Sequence, residues 1–167
     1  MQTVLMNRRG IEERTKLPFP DTTAVISITD FDYPFAELEN EPLHRLKLAF
    51  DDVDGEVFSE ELDADATQEK REALARKYHM FSDEQAREIA AFYWKILACG
   101  ADMLIVQCEY GHSRSAAVAA AIREFEDKDG ISIFAAEQYY PNKLVFRKTL
   151  KALREHPPLV NREGLLT

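Results

Sequence analysis

Cys108 and Arg114 stand six positions apart, with Gly111 midway between them and Ser115 directly after. Glu109, Tyr110, His112 and Ser113 fill the remaining positions. An apolar, β-like segment (103–106) leads in, and a helix-like segment (115–125) leads out. A strand that turns sharply into a helix leaves several backbone N–H groups unpaired inside the turn. Those donors, with the positive end of the helix dipole, favour a bound anion. Gly111 suits a mid-loop position where positive φ or the close approach of a phosphate excludes a Cβ. Arg114 opens the helix, and its planar fork can hold two phosphate oxygens. A thiol in such a place falls from a pKa of about 8.5 to between roughly 3.5 and 7.5, and so becomes a thiolate nucleophile at neutral pH. Ser115 is placed to donate a hydrogen bond to the sulfur and ease its later departure. The expected chemistry is phosphoryl transfer through Cys108, with residues 109–115 cradling the phosphate.

The pattern Cys-x-x-Gly-x-x-Arg-Ser, spanning Cys108, Gly111, Arg114 and Ser115, resembles the loop of the cysteine-based tyrosine and dual-specificity phosphatases. Within that superfamily the chain reads as a small, bacterial-type member. The resemblance implies a phosphocysteine intermediate on Cys108, with Arg114 and the loop amides holding the phosphoryl oxygens. One departure stands next to the nucleophile. The family usually has histidine before the cysteine, and here that residue is Gln107, which hydrogen-bonds but carries no charge. His112, inside the loop, is expected at its rim, exposed.

A phosphatase of this kind needs a proton for the leaving oxygen, usually from an aspartate on an upstream loop. Leu46, Leu48 and Phe50 alternate with Lys47 and Ala49, which predicts a strand with one buried face. Asp51, Asp52 and Asp54 follow at its end, where loops of open α/β sheets commonly carry catalytic groups. Phe50-Asp51-Asp52 resembles the superfamily's acid loop, and Asp52 is the first candidate for the acid, Asp51 the second and Asp54 the third. Asp52 precedes Cys108 by 56 positions, more than in compact dual-specificity enzymes. The excess fits a charged insertion at about 55–81, where Leu74, Ala75 and Tyr78 share a helical face. It reads either as a lid over the site or as a solvated surface helix.

These groups need a scaffold. Strands are expected at 3–6, 24–29, 44–50 and 103–108, the last a continuous apolar run suited to a central parallel position covered on both faces. Ser82 with Gln85 forms a capping box that opens a helix to about Ala98, with Ile89, Phe92, Tyr93, Ile96 and Leu97 on its apolar face. A helix over 115–126 leaves the loop, its alanines permitting close packing. A short helix at 131–140 follows. Asn142 then caps a last helix with Leu144, Val145, Leu150 and Leu153 buried. Tyr140-Pro141-Asn142 also resembles a step found after the loop helix in dual-specificity phosphatases. The fold class is α/β: a central, mainly parallel sheet of four to five strands flanked by helices, in one domain over 1–167 with a loose tail at about 157–167. The low-molecular-weight tyrosine phosphatases and the arsenate reductases put the cysteine early and the acid late, the reverse of this order. Rhodaneses have a loop one residue shorter. Arg8 and Arg9 read as a solvated basic pair, unless the first strand runs parallel to the fourth and sets them at the loop's edge of the sheet.

The chain has 167 residues, 46% apolar and 31% charged, as in ordinary soluble domains. A net charge of −9 excludes the basic footprint of nucleic-acid binders and of proteins that dock on anionic membranes. With Glu109 and no lysine in the loop, polyphosphorylated inositols are disfavoured. A single phosphate on a peptide, a protein or a small phosphomonoester fits better. Two cysteines make no disulfide framework and suit the cytoplasm, with Cys99 expected as a small buried hydrophobe. No membrane-spanning run or signal pattern is seen. No cofactor is expected, and His44, His79, His112 and His156 are too scattered for a metal site. The functional expectation is therefore a cysteine-dependent phosphatase. Two other readings stay open: a phosphate-binding module with little turnover, and a phosphatase for a small metabolite or nucleotide.

Overall fold

The computed structural model describes residues 1–54 and 67–157. Four strands, β1 (Gln2–Asn7), β2 (Thr23–Thr29), β3 (His44–Ala49) and β4 (Met103–Cys108), form a wholly parallel sheet in the order β1-β4-β2-β3. Six helices accompany them among the described residues: α1 (Arg8–Arg14), α2 (Gln68–Lys77), α3 (Asp83–Ala98), α4 (Arg114–Asp127), α5 (Ile131–Phe134) and α6 (Lys143–Glu155). β4 and β2 are the inner strands, and every residue of β2 is buried. Continuous apolar runs fit that place because helices cover both faces.

Alternation along the strands divides the core in two. Ala24, Ile26, Ile28, Leu104, Val106 and Cys108 face α3, α4 and α6, whereas Val25 and Ile105 meet Ile11 of α1 on the other face. Residues 116–122 of α4 are all buried, so this helix is the central one of its layer. Five of those seven are alanines, which let α4 sit close to the sheet and to α6. The Ser82–Gln85 capping box opens α3, and Asn142 caps α6 by accepting from the Val145 amide at 3.1 Å.

Several expectations change. Cys99 is exposed, not buried. It is the C-cap of α3, and Gly100 in the left-handed region (φ +77°) turns the chain away from the core there. The helix expected at 131–140 covers only Ile131–Phe134; beyond it the Ala136 amide bonds the Ile133 carbonyl at 3.4 Å and the Tyr139 amide the Ala136 carbonyl at 3.0 Å, separate turns that bring the Tyr140 amide to the His112 carbonyl at 2.9 Å. Leu97, Leu144 and Leu150 are only half-buried, although Val145 and Leu153 are buried as expected. Within the 55–81 insertion, α2 has no buried residue, and Leu74, Ala75 and Tyr78 form a half-buried face. The rest of that insertion, 55–66, and the tail from 158 lie outside the described residues. No helix among the described residues is long and apolar enough to cross a membrane.

Parallel register gathers the chemistry-bearing residues. Asn7 pairs with Cys108, Ser27 with Gln107 and Thr29 with Ala49. The segments beginning at Arg8, Asp30, Phe50 and Glu109 therefore all emerge at one sheet edge. Gly111 stands there with φ +75°, and a Cβ on it would lie 3.0 Å from the Asn7 nitrogen and 3.1 Å from the Met6 carbonyl carbon. Gly100 has a similar φ but nothing within 4 Å of such a Cβ. An alanine in the left-handed region costs about 1–2 kcal/mol at either position. Overpacking against backbone adds about 1–3 kcal/mol at Gly111 alone. Equilibrium urea unfolding of Gly111→Ala and Gly100→Ala is expected to show that difference, and equal losses would mean that β1 does not confine the loop.

Candidate active site

At the end of β4 the Cys108 side chain is 2% exposed, under the turn it begins. The Gly111 amide donates to its Sγ at 3.3 Å, and Ser115 Oγ lies 3.1 Å away, with either atom able to donate. Gly111 is required by the strand behind it: its positive φ and the Met6–Asn7 backbone leave no room for a Cβ. The neighbouring Glu109 is held from the same side. Its carbonyl accepts from the Arg8 amide at 3.1 Å, and its carboxylate pairs with Arg8 Nε at 2.6 Å. Arg8 also donates from Nη2 to the Pro34 carbonyl at 2.6 Å and lies over the Tyr33 ring. Arg8 is thus no solvated cation: it neutralises the loop's own acidic residue and ties the loop to β1. Arg9 is exposed.

The helix start is open to an anion. Ser113 is the N-cap of α4 but makes no capping hydrogen bond, its hydroxyl donating instead to Asp52 Oδ1 at 2.8 Å. Among the described residues, the amides of Tyr110, His112, Ser113 and Arg114 have no backbone acceptor. Such uncapped N–H groups at a helix N-terminus suit a phosphate.

Arg114 follows, its side chain 3% exposed. A guanidinium so buried must be paired, since an unpaired buried charge costs several kcal/mol. Nη1 pairs with Asp30 Oδ1 at 2.6 Å and donates to the Phe50 carbonyl at 2.7 Å. Nε is buried with no hydrogen-bond partner, the Asp52 Oδ2 atom lying 3.9 Å away. One corner of the fork is thereby pinned, while the Nε edge is left unmatched. A guanidinium edge in that position can donate to the oxygens of an anion.

The three aspartates after β3 have different surroundings. Asp52 leans on the loop, accepting from Ser113 and, at 3.0 Å, from Asn142 Nδ2 at the start of α6. Asp51 is turned to the far side, accepting from the Phe31 amide at 3.0 Å through Oδ1 and facing His79 Nδ1 at 3.3 Å through Oδ2. Asp54 accepts from the Lys143 amide at 3.2 Å. Of the three, Asp52 is the one beside Arg114. The Gln107 amide lies on the opposite face of the sheet from the sulfur: Ser27 Oγ donates to its Oε1 at 2.7 Å, and its Nε2 is buried without a partner. His112 is exposed, with Nδ1 2.8 Å from the Gln138 carbonyl. Among the described residues no cluster of His, Cys, Asp or Glu is arranged to hold a metal ion.

Two residues of this arrangement carried no signal that singled them out. Asp30 reads in the sequence only as the end of a strand, and its place beside Arg114 follows from β2 lying next to β4. Asn142 reads as a helix cap, which it is, but its amide nitrogen is also turned to Asp52. A strand-order argument could have found Asp30. Nothing local could have found the second role of Asn142.

No protein-family signature matches the chain, and no curated protein matches it in sequence. Among solved structures, the crystal structure of human DUSP28, a dual-specificity phosphatase, superposes with a TM-score of 0.50 over 91% of each chain, at 13% sequence identity. The four-stranded parallel sheet flanked by helices is thus an α/β fold that matches this neighbour.

Proposed function

We propose that this chain is a cysteine-dependent phosphatase of the dual-specificity type, hydrolysing monoesters such as phosphotyrosine through a phosphocysteine on Cys108. The observation that carries the reading is the buried Arg114 fork. It is pinned at Nη1, while Nε makes no hydrogen bond, in the loop where the amides of Tyr110, His112, Ser113 and Arg114 have no backbone acceptor among the described residues.

In the proposed reaction the Cys108 sulfur attacks phosphorus and the ester P–O bond breaks, Asp52 giving its proton to the leaving oxygen. Water then attacks the thiophosphate, Asp52 taking its proton, and the P–S bond breaks to return the thiolate. Ser115, 3.1 Å from the sulfur, stabilises that leaving group. Arg114 and the loop amides hold the equatorial oxygens, so most of the work is positioning and electrostatics. Gln107 makes no contact with the sulfur that would oppose turnover, because its side chain bonds Ser27 on the other face.

Aromatic rings support an aryl ester as substrate. Tyr110 on the loop and Tyr140, whose amide bonds the His112 carbonyl, are both about three-quarters exposed. Asp30, Asp51, Asp52 and Asp54 share this edge, and their field disfavours substrates bearing several phosphates. A phosphorylated peptide or protein, or a small phosphomonoester, is the proposed partner, and nucleic acid is not. A cytoplasmic location belongs to this reading, since a thiolate nucleophile on Cys108 needs a reducing compartment.

Turnover of a generic aryl phosphate tests it. Cys108→Ser is expected to abolish turnover, and Asp52→Asn to lower it by about 10²-fold, as for loss of a general acid. Asp54→Asn is expected to cost far less. Phosphate-dependent binding with no turnover by the wild type would establish the binding-module reading instead. Arg114→Lys keeps the charge but loses the planar fork, and steady-state kinetics should show a drop in kcat of about 10²-fold.

A further inference from the structure

His79 stands where a helix normally ends on glycine. The last turn of α2 closes with the His79 amide bonded to the Arg76 carbonyl at 3.2 Å and the Met80 amide to the Ala75 carbonyl at 3.0 Å. The residue between the cap, Tyr78, and Met80 must turn left-handed, and His79 does so with φ 42°. Glycine fits this position without steric cost, and a side chain there is strained. Strain of this kind persists where the surroundings over-determine it, and it clusters at functional sites.

Three contacts occupy the His79 residue. Its ring stacks on Phe31 with centroids 3.7 Å apart and planes within 5°. Its Nδ1 faces Asp51 Oδ2 at 3.3 Å, and its carbonyl accepts from the Asp51 amide at 3.1 Å. Asp51 Oδ1 in turn accepts from the Phe31 amide at 3.0 Å. Phe31 and His79 remain 48% and 38% exposed, so burial of apolar area does not explain the stack. What the cluster does is bind three segments together: the end of α2, the turn that carries Asp52, and the turn that carries Asp30 on Arg114.

We infer that His79, with Phe31 and Asp51, is a clamp that positions the turn bearing Asp52 against the phosphate loop. The inference rests on the proposed phosphatase reading, in which Asp52 protonates the leaving oxygen. His79 touches none of the reacting atoms. Its action is to fix the backbone one residue before the acid, so removing the ring should impair proton delivery while leaving the thiolate and Arg114 intact.

The test compares wild type, His79→Gly, His79→Asn and Cys108→Ser on two esters. Phenyl phosphate needs a proton on its leaving phenoxide, and 2,4-dinitrophenyl phosphate hardly does. His79→Gly is expected to fold with unchanged or raised thermal stability, since glycine relieves the left-handed strain. It should lower kcat/KM about tenfold or more on phenyl phosphate and less than about threefold on the dinitrophenyl ester. Asparagine tolerates the left-handed region and can donate to Asp51, so His79→Asn should recover part of the loss. Backbone amide exchange at Asp51 and Val53 should quicken in His79→Gly. An equal loss on both esters, no loss on either, or unchanged exchange overturns the clamp. If the wild type turns over neither ester, the phosphatase reading falls, and amide exchange alone then decides the clamp.

Discussion

A positive charge taken out of water dictates the arrangement of this sheet edge. Arg114 is buried at the start of α4, and burial of a guanidinium is tolerated only with partners in place. Those partners come from two other strands: Asp30 follows the end of β2, and Phe50, whose carbonyl accepts, follows the end of β3. The parallel order β4-β2-β3 sets both beside the loop that leaves β4. One carboxylate and one carbonyl fix a single corner of the fork. The charge is therefore anchored at Nη1, while Nε makes no hydrogen bond and lies 3.9 Å from Asp52 Oδ2.

The loop is braced on two further sides. Toward β1, Gly111 backs onto Met6 and Asn7, while Arg8 answers the charge of Glu109. Without Arg8 the carboxylate of Glu109 would oppose any anion brought to the turn. Toward α6, Asn142 and Ser113 meet at one oxygen of Asp52. Polar groups linked in this way hold one another more firmly than isolated pairs, and each fixes the rotamer of the next. The thiol, the guanidinium and the carboxylate come from different elements, yet each is held by a neighbour's segment.

What could be read from the sequence was what is decided locally. The four strands, the capping box at Ser82, the cap at Asn142 and the turn from Cys108 to Arg114 all follow from residue type and spacing within a few positions. The relation of Asp52 to the loop was legible because an apolar alternation ends just before it. Asp30 escaped because its partner is set by which strands lie side by side, and Arg8 was legible only on condition that β1 runs parallel to β4, as it does. Cys99 was misplaced because it caps the end of α3, where Ala98, Cys99 and Gly100 are all exposed, and is not part of that helix's apolar face. The helix at 131–140 was overextended because apolar residue types do not distinguish one helical turn followed by separate turns, as found here, from a continuous helix.

Ser113 has one hydroxyl and two possible uses for it. Given to Asp52, it is withheld from the first turn of α4, which is left without its customary terminus. Any dianion that settles among those amides completes the helix at the same moment that it is bound. Occupancy and helical order at this end are then a single thermodynamic event. In the proposed reading, the missing cap of α4 and the affinity of this turn for a phosphate have one cause.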